Sequence, residues 1–331
     1  MIPAGFPMDT SGGVGLPAQF RSEDAFRFWA EHMRRGEFEA AWRISDQVRR
    51  LESTSNGCRP RHFQQVWSGA SMRRKRVLIR CHRGLGDTIQ FIRYAPLVKA
   101  LGAEVIVSAQ AELIPLLQTM PAIDRLVPLD GNGQPPRYDV DIEIMELPYA
   151  LRTNQTTIPA ETPYLHVPQS PLPTKNLLAV GIVWAAGDWD RRRSIPLPQL
   201  APLASVTGMK LFAFQRGAAL TQTEHLPISF LNWSDVVHEA ALLRALDLLI
   251  SVDTMPAHLA GALGVPVWLL LHADADWRWM KERDDSPWYP SMRLFRQSHE
   301  GMWQPVLERV AAELRALSRS RAEVRSAQPS G

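Results

Sequence analysis

Two segments of the chain set a helix start directly after an apolar strand, with side chains suited to handling an anion. The first is His82-Arg83-Gly84-Leu85-Gly86-Asp87-Thr88. Gly84 and Gly86 in such a turn let the backbone approach a ligand and aim free N–H groups at a phosphate. Asp87 follows at the mouth of any cleft above the strand. It can act as a general base or simply cap its helix, a common place for aspartate. The second segment is Ser251-Val252-Asp253-Thr254-Met255-Pro256-Ala257-His258. Thr254 falls at the cap and Pro256 in the first helical turn, so the positive end of the helix offers a seat for a diphosphate. The Thr254 hydroxyl can add a hydrogen bond, and His258 can hold a phosphate or a hydroxyl. Equally, His258 fits as an internally bonded histidine bridging helix and sheet.

Trp184 ends another apolar run and leads into Arg191-Arg192-Arg193, where guanidinium groups can fork onto phosphate oxygens. For two of these three arginines, an exposed basic loop is the better description. Gln215-Arg216-Gly217 ends the next strand, where Gln215 can read the edge of a base or ribose. Trp277, Trp279, Trp288 and Tyr289 either stack on a ring or pack in the interior. Asp139-Val140-Asp141 and Asp274-Ala275-Asp276 have carboxylate spacings used to hold metals, but no further hard-oxygen ligands accompany them. No metal site is assigned. A dinucleotide fingerprint is excluded as well, because Ile89 stands where a third glycine belongs and Ser108-Ala109-Gln110 supply no acid.

The elements that position these residues repeat one pattern. Arg76–Cys81 reads as a buried strand, followed by a helix over about Asp87–Leu101, a stop at Gly102 and a strand over Glu104–Ser108. That is a βαβ unit with a parallel sheet and a right-handed crossover. A helix near Ala111–Thr119 and strands near Leu126–Pro128 and Asp139–Glu143 follow. A proline-dense linker over Thr157–Asn176 comes next. The pattern then restarts with strands at Leu178–Trp184, Lys210–Phe214, Leu248–Val252 and Val265–Leu271. Helices fall at Pro198–Ser205, His238–Leu246, Thr254–Leu263 and Met302–Leu317. Ahead of both halves, Ser22–Leu51 carries a helical apolar seam broken at Gly36.

The domains expected are a flexible segment 1–20, a helical hairpin 21–66, a first α/β half 67–170, a second half 171–318 and a flexible tail 319–331. Two such halves face each other across a cleft, with ligands beyond the carboxyl ends of the strands.

Composition narrows the function classes. With 331 residues, 45% of them hydrophobic and 21% charged, the chain is long enough for two globular domains. A net charge of +3 is too slight to imply a nucleic-acid partner. Only five of the 37 basic residues are lysines, a bias compatible with phosphate chemistry and also with coding bias. The longest apolar run, Val265–Leu271, is far short of the ~20 residues that span a bilayer. No transmembrane segment or secretion signal is expected. Cys58 and Cys81 supply neither a disulfide framework nor metal-ligand spacing, so the cytoplasm is the default location.

The segments Lys75–Ile79 and Arg83–Tyr94 resemble family 9 glycosyltransferases, the heptosyltransferase-like domains found behind tetratricopeptide repeats in bacterial proteins. Ile250–Gly264 with Pro266-Val267-Trp268 resembles their second signature. Asp276–Trp279 and Ser286–Ser291 resemble a third. The similarity covers roughly residues 60–315, and Ser22–Leu51 resembles a final tetratricopeptide unit. The resemblance implies a GT-B architecture of two Rossmann-like halves, the first binding the acceptor and the second the donor. It implies an inverting, metal-independent transfer of a sugar from a nucleotide-diphosphate donor to a glycan, lipid-linked or protein acceptor. Asp87 would be the base and Gly84 and Gly86 the phosphate loop. Trp184, Arg193, Gln215, Asp253, Thr254 and His258 would hold the donor. Two departures stand out: a shortened loop between Trp184 and Arg193, and His82-Arg83 in place of an acidic residue and a glutamine. A catalytically silent sugar-nucleotide binder or interaction module, and a nucleotide-sugar epimerase, are the competing readings.

Overall fold

In the computed structural model, residues 22–54, 67, 69–129, 136–174, 176–188, 190–222 and 226–326 are described. The expected flexible start 1–20 and the stretch 55–66 lie outside them. Helices α1 (Ser22–Arg34) and α2 (Phe38–Thr54) form the hairpin. Gly36 turns it with φ of +73°, a conformation that side chains rarely adopt, and a Cβ there would also strike Gln155.

The first sheet comprises β1 (Arg76–Arg80), β2 (Glu104–Ala109), β3 (Arg125–Pro128) and β4 (Val140–Glu143), in the order β3-β2-β1-β4. Every pairing is parallel, with Ile79 opposite Val107 on one side and Ile142 on the other. The helices here are short: α3 (Leu85–Phe91), α4 (Ala95–Ala100), α5 (Ile114–Leu117) and α6 (Leu147–Ala150). The single helix expected over 87–101 is instead two helices joined by a 3₁₀ turn at Ile92–Tyr94. Pro96 explains the division, since its ring has no N–H to continue a helix and is tolerated only in a first turn. Pro115 divides the next expected helix in the same way.

The second half holds β5 (Leu178–Val183), α7 (Ala201–Ala204), β6 (Met209–Ala213), β7 (Ile228–Phe230), α8 (Val236–Leu243), β8 (Leu248–Val252), α9 (Met255–Ala262), β9 (Val267–Leu271), β10 (Met292–Arg296) and α10 (Trp303–Ser326). Its six strands are all parallel, in the order β10-β9-β8-β5-β6-β7. β5 and β8 are buried along their whole length, as expected for parallel strands covered on both faces. β7 and β10, not foreseen from the sequence, are the two edges of this sheet. The tail expected to be flexible from 319 is α10 as far as Ser326.

One continuous core joins the hairpin, the first half and one face of the second sheet, while a second core lies between that sheet's other face and α10. The proline-dense segment takes part in this packing rather than hanging free. Ile158, Leu165 and Val167 are buried, and the amides of Tyr164 and Leu165 donate to the Ala262 carbonyl. Among the described residues, no helix is long and apolar enough to cross a membrane.

Candidate active site

The carboxyl ends of β1 and β8 face one another, and each feeds a helix into the same cleft. α3 and α9 meet start to start. A Cβ on Gly86 would lie 2.9 Å from the His258 ring and 3.6 Å from the Met255 Cα. The glycine therefore permits close helix packing, and a Gly86→Ala substitution should wedge the two halves apart. Gly84 also lines the cleft, but its N–H donates to the Asp87 carboxylate at 3.2 Å. The Gly84 amide is thus committed to the cap, and Gly86 serves the packing of α3 on α9.

The cleft encloses about 950 Å³ and is lined by Asp87, Arg193, Asp253, Thr254, His258 and Arg278, among others. Asp87 takes the capping role foreseen for it and also an ion pair. One oxygen caps α3 through Gly84, and the other accepts from Arg278 Nη2 at 2.8 Å, while the side chain keeps 21% exposure to the cleft. Thr254 is the N-cap of α9, but its hydroxyl donates to the Val252 carbonyl, so no side chain caps the first turn. That end of α9, without a side-chain cap and with its share of the helix dipole, faces the cleft. Arg193 reaches it too, donating from Nη1 to the Asp253 carbonyl at 2.8 Å. Of the three loop arginines, Arg191 and Arg192 are exposed and pair with Asp188 and Asp190.

Asp253 and His258 form a braced pair. His258 Nδ1 lies 3.0 Å from the Tyr289 hydroxyl, Nε2 lies 3.6 Å from Asp253, and the ring stacks on Trp279. Burial alone would raise the Asp253 pKa. The hydrogen bond from His258 and the Arg278 charge outweigh it and hold this carboxyl well below the usual carboxylate range. Burial lowers the His258 pKa more than Asp253 raises it, so the imidazole is neutral at neutral pH. The stability linked to His258 is therefore complete above about 6.5, the unfolded value. It is lost as pH falls, because the unfolded histidine takes up a proton first.

Two expected donor contacts sit elsewhere. Trp184 is 2% exposed and belongs to the core between the second sheet and α10, so its ring does not reach the cleft. Gln215 borders a separate cavity of about 470 Å³ with Arg216, Phe230 and Trp233. Its amide is consumed by the backbone: the oxygen accepts from the amides of Trp184 and Ala185, and the nitrogen donates to the carbonyls of Ala185 and Arg216. Gln215 braces the loop after β5 instead of presenting a free edge. The Asp-x-Asp carboxylates are engaged by arginines: Asp139 by Arg76, Asp141 by Arg80, Asp274 by Arg34 and Asp276 by Arg278.

Two residues in the cleft were not foreseen. Arg278, buried on the 3₁₀ turn Trp277–Trp279, bonds Asp87 and Gln90 from the first half and Asp276 from its own. Its signal was a lone arginine inside an aromatic run. Glu143 is the last residue of β4, 4% exposed, with neither oxygen bonded to another side chain among the described residues. Burial drives its pKa up from an ordinary 4.5 to about 7, against the pull of Arg80 and Arg83. A raised carboxyl favours the folded state while protonated and penalises it once ionised. The penalty grows from pH 4.5 to 7 and reaches about 3 kcal/mol above that. Glu143→Gln should therefore stabilise the protein by up to about that amount at pH 8 and by much less at pH 4.5. Urea unfolding at the two pH values checks this, and an equal effect at both would contradict it.

The hairpin is part of the cleft wall. Trp29 of α1 packs edge-on against Trp277 at 5.3 Å, and Glu31 pairs with Lys281, tying α1 to the second half. Asp46 of α2 holds Arg152 and the Tyr149 hydroxyl, and Trp42 donates to the Thr153 carbonyl, tying α2 to the first.

No family model matches the chain. Protein FlbA of Caulobacter vibrioides is 28% identical over 298 residues, or 77% of this chain and 48% of that protein. The chain thus spans about half the length of the curated relative it matches. Among solved structures, a glycosyl transferase of family 9 from Veillonella parvula superposes with a TM-score of 0.55 at 14% identity, over 75% of this chain and 99% of that one. The iron-containing dodecameric glycosyltransferase TibC from enterotoxigenic E. coli gives a TM-score of 0.52 at 14% identity, over 77% and 78% of the two chains. At such identities the likeness concerns architecture. The chain has the GT-B-like fold, two Rossmann-like parallel sheets facing a shared cleft.

Proposed function

We propose that the chain is a glycosyltransferase that moves a sugar from a nucleotide-diphosphate donor to an acceptor hydroxyl. The observation that carries this reading is the uncapped start of α9 opening into the same cleft as the Asp87 carboxylate. The donor diphosphate sits at the α9 start, with Arg193 beside it. The acceptor approaches from the first half. Asp87 takes the proton of the acceptor hydroxyl, the acceptor oxygen forms a bond to the anomeric carbon, and the carbon–oxygen bond to the diphosphate breaks. The electron pair stays on the leaving phosphate, where the helix start, Arg193 and Arg278 stabilise it. A single displacement of this kind inverts the anomeric centre. The pairing of all four Asp-x-Asp carboxylates with arginines supports a metal-independent route. The acceptor is a glycan, a lipid-linked sugar or a protein hydroxyl, and the reaction belongs to the cytoplasm.

A thermal-shift panel of nucleoside diphosphates and their sugars tests the donor side. A donor at a hundred times its dissociation constant should stabilise the fold by about 2.7 kcal/mol. Arg193→Ala should remove most of that shift. An undiminished shift would place the diphosphate away from α9.

A further inference from the structure

We propose that Glu143 is a specificity-determining contact for the acceptor, binding a second hydroxyl beside the one that Asp87 deprotonates. The inference rests on the transferase reading above and goes on to say what the acceptor must carry: a second hydroxyl besides the reacting one. In register, Glu143 lies opposite Arg80 at the carboxyl end of β1, the strand that leads into Asp87. Both carboxyl groups line the same cleft. Their neighbours differ. Asp87 is held by Arg278 and the Gly84 amide. Glu143 is more than nine-tenths buried yet receives no hydrogen bond from any side chain among the described residues, with the His82 amide and the Arg80 and Arg83 charges near it. The cation nearest in sequence register is already committed, because Arg80 pairs with Asp141 at 2.9 Å.

A buried carboxyl without such a partner costs stability unless something fills its place. A hydroxyl is suited to that place, since it donates to the ionised group and accepts from the protonated one. The rest of the wall agrees with a ring or chain carrying hydroxyls on one side. Trp29 is only partly buried there, with the exposed Phe26 stacked on it at 5.9 Å. An aromatic face on one side and a carboxyl on the other suit a group with both C–H and O–H surfaces.

The charged and titratable groups facing Glu143 are Arg80, Arg83 and Glu146, with the Cys81 thiol beside it and Arg49 of α2 across the cleft. A hydroxyl donating to Glu143 favours its ionised form, so binding should strengthen as pH rises through 7.

The test uses the full chain saturated with a nucleoside diphosphate. Methyl α-D-mannopyranoside and its 2-deoxy and 3-deoxy analogues are titrated by saturation-transfer NMR at pH 6 and pH 8. The expected result is tighter binding of the diol at pH 8 and at least tenfold weaker binding of one deoxy analogue. In Glu143→Gln the affinity should stay within about threefold of wild type at pH 6 and lose its pH dependence. Glu143→Ala should lose discrimination against the deoxy analogue. Should Glu143→Ala not fold, the ¹³C carboxyl resonance of Glu143 in the wild type decides, since it must shift its titration downward on adding the glycoside. Equal affinities for diol and deoxy probes, no glycoside binding at all, or an unmoved Glu143 titration overturns the proposal. If nucleoside diphosphates themselves fail to bind, the transferase reading falls instead.

Discussion

Arg278→Met should lower the unfolding free energy by about 3 kcal/mol, toward the lower end of the cost of stripping a buried ion pair of one partner. Arg278 is buried at the boundary between the halves and lines the cleft there. It bonds Asp87 at 2.8 Å, Gln90 at 2.8 Å and Asp276 at 2.9 Å, and its guanidinium lies over the rings of Phe91 and Trp277. Burial disfavours its charge, but Asp276, Asp87 and Asp253 more than compensate, so the arginine pKa is raised. Methionine matches the stem but lacks the guanidinium and its three hydrogen bonds, which strands Asp87 without its cation. Asp87 and Asp276 keep some solvent contact, which limits the cost. Urea denaturation measures the change, and a loss under about 1 kcal/mol would mean that this arginine does not bind the halves together.

Asp87→Asn should lower the rate of sugar transfer by about 10²–10⁴-fold, the usual contribution of a positioned general base. Asparagine keeps an oxygen for the Gly84 amide, so α3 retains its cap, while the proton-accepting charge is gone. Donor affinity should stay within about threefold, because the seat proposed for the diphosphate at α9 is built from the other half. Rapid-quench turnover with the donor found in the thermal-shift panel, alongside a titration of that donor, separates the two effects. Transfer within tenfold of wild type would move the base assignment to another residue. Glu143 would then be the first to examine.

Local patterns in the sequence revealed most of the frame. Buried parallel strands read as unbroken apolar runs, and glycine after a strand marks the turn into the next helix, which is why β1, β5 and β8 were placed within one or two residues. What escaped depended on contacts far apart in the chain. Pro96 was a local clue passed over. By contrast, β7 is three residues long and β10 carries two arginines among its five residues, so neither carried the signature of a buried strand. The site divided in the same way. Asp87 and the start of α9 follow from strand–turn–helix order alone. Arg278 finds Asp87 and Gln90 across 191 and 188 residues of chain, and no spacing rule predicts that. Trp184 and Gln215 sat at strand ends, where ligand contacts are common, yet one turned inward to the core and the other to the backbone of its own loop. Glu143 is distinguished only by what surrounds it.

Everything proposed for the reaction requires a diphosphate at the α9 start, opposite Asp87. A crystal structure of the complex with ADP or UDP measures this directly. The account predicts the β-phosphate within hydrogen-bonding distance of the Met255 amide, with the Arg193 guanidinium turned onto it and Asp87 facing it across the cleft. A diphosphate lodged in the Gln215–Trp233 cavity, with the start of α9 unvisited, would contradict the account.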